Sequence, residues 1–155
     1  MDSMSRSQFQ RLVMKKANAY LLIVEELTDL LYELNEVNNI CQEVNFTYKE
    51  YFNRNLNKAK NYTAFTAECL SIVSGSHKRK EVFLEDTSSF IVFDSYLDKS
   101  DLIFTTEKVL SHISNVRTAY KKEVDDITDT YLYIIERYLT ETKSYLDEQF
   151  KIQSL

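Results

Sequence analysis

Residues 17–44 read ANAYLLIVEELTDLLYELNEVNNICQEV, and the architecture is argued outward from this stretch. Ala17, Tyr20, Val24, Leu27, Leu31, Leu34, Asn38 and Cys41 follow one another at alternating spacings of three and four. That rhythm puts them on one side of an α-helix, as the seam residues of packed helices are placed. Ile23, Leu30, Val37 and Val44 run beside them, widening the face beyond what a single neighbour can cover. The pattern predicts a helix over 8–43, a rod of about 54 Å at 1.5 Å per residue.

The same rhythm recurs twice. Thr47-Tyr-Lys-Glu50 reads as a capping box, in which a hydroxyl and a carboxylate satisfy the first free amides of a helix. Behind it Phe52, Leu56, Ala59, Thr63, Thr66, Leu70 and Val73 form a seam, with Tyr62, Phe65, Cys69 and Ile72 widening it. Gly75, the one glycine in the chain, marks the expected stop of a helix over 47–73. The last segment predicts a long helix over 101–150. Val109, Ile113, Val116 and Tyr120 are one part of its seam; Val124, Ile127, Tyr131, Ile134, Tyr138 and Tyr145 are the other. The rhythm slips at 121–126, which reads either as a stutter in one rod of about 75 Å or as a break. Residues 74–100 are expected to be irregular and basic. Val82-Phe-Leu84 and Phe90-Ile-Val-Phe93 admit a β-hairpin or a short helix through 89–97, and the helical context favours the helix. The fold class expected is therefore all-α, a single domain over 1–155 built as an elongated bundle of three long helices.

Composition narrows the function. A chain of 155 residues at average usage would carry roughly eleven Gly and eight Pro. With one Gly and no Pro, glycine-rich phosphate loops and tight-turned β-sandwiches are excluded. Net charge of −5 argues against a general nucleic-acid binder. Cys41 and Cys69 fall on apolar faces and read as reduced core residues of a reducing compartment. No secretory leader and no membrane span is read, the sequons at Asn45 and Asn61 are taken as chance, and a cytoplasmic (or nuclear) location is expected.

Catalytic signatures are missing from the pattern. His77 and His112 lack a Glu three positions earlier, so the Glu-x-x-His pair of helical di-iron centres is absent. No Cys-x-x-Cys, H-E-x-x-H or nucleophile elbow occurs. Neither an enzyme activity nor a cofactor or metal is expected. Contact is the expected business of the chain, as a protein–protein interaction module of the adaptor, secretion-partner or viral or phage accessory kind. Its partner would be a second copy, giving a homo-oligomer, or another helical protein.

Three sets of residues are candidates for that contact. Tyr131, Tyr138 and Tyr145, spaced by seven, continue into Leu146 and Phe150 and could form a docking ridge on the C-terminal helix. Charge is segregated, with +5 over 45–80, −3 before it and −7 after it. Lys49, Arg54, Lys58, Lys60, Lys78, Arg79 and Lys80 thus form a candidate surface for an anionic or acidic partner, the alternative reading being an accessory or inhibitor protein. Asn38, at a seam position, is the candidate polar group that sets register.

Overall fold

The computed structural model describes residues 5–86 and 98–150, apart from the side chains of 9–16 and 86. Four long helices build the bundle: α1 (Arg6–Glu43), α2 (Lys49–Val73), α4 (Lys99–Tyr120) and α5 (Asp126–Phe150), with the short α3 (Lys80–Asp86) between α2 and α4. The class is all-α, as expected, but the C-terminal rod is two antiparallel helices. The segment 121–126 is a break because Asp125 is a cap. Its carboxylate accepts from Thr128 N at 2.8 Å, and Asp126 and Asp129 place negative charge at the positive end of α5. Folding back buries Leu132, Ile135 and Leu139.

The ring order is α1–α2–α5–α4, each helix packing on two neighbours. Asn35 meets Lys60, Phe65 meets Tyr131 while Tyr48 meets Tyr145, and Glu107 meets Lys143 while Arg117 meets Asp129. Every adjacent pair is therefore antiparallel, which makes the diagonal pair α2 and α4 parallel. The end of α2 at Val73 and the start of α4 at Lys99 therefore lie at opposite ends of the bundle.

Leu27, Leu30, Leu31 and Leu34 of α1 share the core with Phe52 and Leu56 of α2, Leu102 and Ile113 of α4 and Leu132 and Leu139 of α5. Buried threonines do not leave orphan hydroxyls: Thr63, Thr66, Thr106 and Thr142 each donate to the carbonyl four residues earlier at 2.7 Å.

The register of α5 departs from expectation. Its buried stripe is Thr128, Leu132, Ile135, Leu139, Thr142 and Leu146, one position beyond the predicted Ile127, Tyr131, Ile134, Tyr138 and Tyr145. Ile127 is 66% exposed. Both stripes keep the three-four rhythm; the tyrosines flank the core because their hydroxyls need water or a polar partner.

The caps also differ. Thr47 does not cap α2. The helix begins after Tyr48 with no side-chain cap, and Thr47 N donates instead to Gln149 Oε1 at 3.0 Å. Capping boxes stand at Ser5–Gln8 and Asp98–Asp101. Gly75 ends α2 as read from sequence. At φ 93° it lets Ser76 N reach Ser71 O and Gly75 N reach Ile72 O, the paired bonds of a Schellman motif. Val82-Phe-Leu84, the first arm of the possible hairpin, lies in α3 with Phe83 buried. The expected short helix at 89–97 lies outside the described residues.

Candidate functional site

The three candidate sets are redistributed by the fold. Tyr131, Tyr138 and Tyr145 do not form a free ridge; they close the α2–α5 seam. Tyr131 meets Phe65 edge-on at 5.8 Å, Tyr138 tilts against Tyr62 at 5.5 Å, and Tyr145 stacks on Tyr51 at 5.8 Å and meets Tyr48 at 6.1 Å. Leu146 is buried in the core, and Phe150 packs on Phe46. The three tyrosine rings are half-buried against the chain's own second helix and keep part of their surface exposed.

The basic region is likewise divided. Lys49 Nζ donates to Gln42 O, Arg54 pairs with Glu50 at 3.4 Å and lies over the Tyr51 ring, and Lys58 lies over Tyr138. Lys60 turns the other way, onto Asn35 of α1, and burial lowers its pKa. A continuous basic strip over 49–80 is not what the fold makes. Among the described residues, no ion pair engages Lys78, Arg79 or Lys80. Asn38 is half-buried while Val37 and Cys41 beside it are enclosed, so it lies at the edge of this chain's own core.

Those three cations sit beside apolar surface that the sequence pattern had assigned to the core. Phe65, Ile72 and Val73 of α2 and Val82 of α3 are 39%, 49%, 66% and 39% exposed. Where α3 lies on α2, Asn61, Tyr62, Phe65 and Lys80 line a cleft of about 280 Å³. Lys78 N is held to Ser71 Oγ at 3.0 Å, which ties the basic turn to the end of α2.

A second cluster lies between α1 and α4. His112 of α4 is gripped between two carboxylates of α1: Nδ1 is 2.6 Å from Glu33 Oε2 and Nε2 is 2.7 Å from Glu26 Oε2. The hydrogen bond to Glu33, helped by that to Glu26 and opposed by burial, raises the His112 pKa to about 9. With a carboxylate at each nitrogen the ring is held as an imidazolium near neutral pH, a cross-link between helices rather than a base. The signal available was that Glu26 and Glu33, seven apart, share a face of α1; their partner, about eighty positions away, had no local mark.

The carboxylates grip opposite edges of the ring, so no metal ion can take all three groups as they stand. Among the described residues no group of three or more His, Cys, Asp and Glu is placed to hold a metal, and the buried set contains no His, Asp or Glu. Cys41 is enclosed, and burial raises its thiol pKa to about 11; Cys69 is raised by the same cause.

A helical bundle with one flank, at the end of α2 and on α3, that is both apolar and basic is thus the class defined by the geometry. Among the described residues, no helix is long and apolar enough to cross a membrane. The chain is similar in fold to the crystal structure of the Dps92 from Deinococcus radiodurans, with 16% sequence identity, 89% of this chain and 87% of that chain covered, and a TM-score of 0.53. No family model and no curated protein matches the sequence.

Proposed function

We propose that the chain is a non-enzymatic interaction module that receives an acidic amphipathic helix of a partner protein on the flank formed by the C-terminal half of α2 and α3. The supporting observation is the coincidence of exposed Phe65, Ile72, Val73 and Val82 with Lys78, Arg79 and Lys80, which no described carboxylate neutralises. An apolar stripe with a cationic border suits a helix that carries leucines on one side and glutamates at its margin. In this reading the flank on α2 and α3 takes the place of the docking site expected on the C-terminal helix, and it keeps only Lys78, Arg79 and Lys80 of the basic region.

The test is calorimetric titration with a designed Leu/Glu amphipathic peptide and its Leu/Lys counterpart. The acidic peptide is expected to bind, and to bind far more weakly when the screening length falls from about 30 Å to 3 Å between 0.01 and 1 M salt. Reversing Lys78 and Arg79 to Glu, or changing Ile72 and Val73 to Ser, removes binding. Equal binding of both peptides, or binding of neither, overturns the reading. Light scattering on the chain alone reports whether a second copy takes this surface instead.

A further inference from the structure

We infer that the cleft between α2 and α3 is a binding site for a planar aromatic anion. Tyr62 and Phe65 supply ring surface, Asn61 supplies an amide that can donate or accept, and Lys80 supplies an ammonium. This is the usual make-up of a small-molecule site, mainly apolar walls with a few polar groups that fix orientation. The available space, about 280 Å³, suits a ligand of one or two fused rings.

The electrostatics select the sign of the ligand. Lys80 is half-buried at the lip, and no carboxylate among the described residues pairs with it. Lys78 and Arg79 stand exposed next to it, with no ion pair to any described residue. A charge-assisted bond at a partly desolvated lip is stronger than one in open water, so a sulfonate, carboxylate or phosphate gains most there. The ring faces decide the rest. Phe65 is held edge-on by Tyr131 and Tyr62 is tilted against Tyr138, so both rings are braced from the α5 side. A flat apolar body therefore meets walls already fixed in place, which lowers the ordering cost of binding.

The site shares its ground with the proposed protein-docking flank, but it does not require that the partner be a protein. The two are separated by their probes. 2-Naphthalenesulfonate is titrated into the folded chain and followed by its fluorescence, with neutral 2-naphthol and inorganic sulfate as the two half-ligands. Saturable one-to-one binding of the sulfonate is expected, with both half-ligands far weaker. Lys80→Gln should weaken it about tenfold, the loss of one charge-assisted contact. Asn61→Asp, an exposed change that leaves the core untouched, should weaken it as well by placing a carboxylate at the lip. Phe65→Ala should do so through the lost wall, with far-UV circular dichroism confirming the fold. Absence of saturable binding, indifference to Lys80→Gln, or a half-ligand that binds as tightly as the whole overturns the inference. If the sulfonate binds here and the acidic peptide does not, the docking function falls and this site stands; the reverse result does the opposite.

Discussion

The bundle closes its two opposite sides with different chemistry. Between α2 and α5 the outer edge of the seam is aromatic, with Tyr51 on Tyr145, Tyr62 on Tyr138 and Phe65 on Tyr131, and Arg54 and Lys58 lying over the rings. Between α1 and α4 it is ionic, with His112 locked by Glu26 and Glu33. The first closure removes ring surface from water and is insensitive to pH over the physiological range; the second is complete only while the imidazole keeps its extra proton and can donate to both carboxylates. Rods of similar length and the same rhythm can thus be joined by area or by charge, and the two joints should fail under different conditions.

The largest effect is expected on the aromatic side. Leu146 is 1% exposed beneath the ladder, near where Tyr145 meets Tyr48 and Tyr51. Leu146→Ala should cost about 3 kcal/mol, transfer energy plus a cavity the rings cannot fully collapse into. Urea unfolding should return the same loss at pH 6 as at pH 9.5, within about 0.5 kcal/mol. A loss that changes strongly with pH would mean that this seam is coupled to the ionic one.

On the ionic side, His112→Gln should cost about 2 kcal/mol, the worth of hydrogen bonds to charged groups at a half-buried site. The sign of its pH dependence follows from the raised pKa. The folded-state value is about 9 against an ordinary 6.5, so the contribution is complete below about 6.5 and fades as pH climbs through about 9. Wild type and variant should therefore unfold at separate urea concentrations at pH 6 and at nearly the same one at pH 10. A constant separation would show that His112 contributes by packing alone.

How much of this was legible differs between the two sides. The helical class and the first two rods follow from the spacing of Leu27, Leu31 and Leu34 and of Phe52, Leu56 and Ala59, because a three-four rhythm has no other compact use. Gly75 was legible because a left-handed helix terminus favours glycine so strongly. The break at 121–126 was only half legible. Lys121-Lys-Glu-Val-Asp-Asp126 contains no glycine or proline, and Asp125 ends the rod through a cap that any polar helix surface might carry. The tyrosine stripe misled because Tyr counts as apolar in a periodic pattern while Thr128 and Thr142, which share the true core stripe, count as polar. The basic stretch misled because charge counted along a sequence says nothing about direction: Lys58 and Lys60, two residues apart, serve seams on different sides of α2. The His112 clamp joins residues about eighty positions apart, and such a pairing becomes visible only once α4 lies along α1.

The finest contrast lies inside the ionic joint. Glu33 and Glu26 hold the same ring at 2.6 and 2.7 Å, yet their side chains are 19% and 40% exposed. Distance alone would make them equivalent. Solvent should not, because water competes for the Glu26 carboxylate and screens its charge, while Glu33 acts through a less polarisable surround. The bond to Glu33 is also the largest cause of the raised His112 pKa. Glu33→Gln should therefore cost about 1 kcal/mol and bring the imidazole most of the way back toward 6.5, whereas Glu26→Gln should cost roughly 0.5 kcal/mol and move it less. Following the His112 ring protons through a pH titration by NMR reads both shifts directly. Equal shifts would mean that ring geometry, rather than exposure, sets the strength of each grip, and that the joint between α1 and α4 is a symmetric clamp.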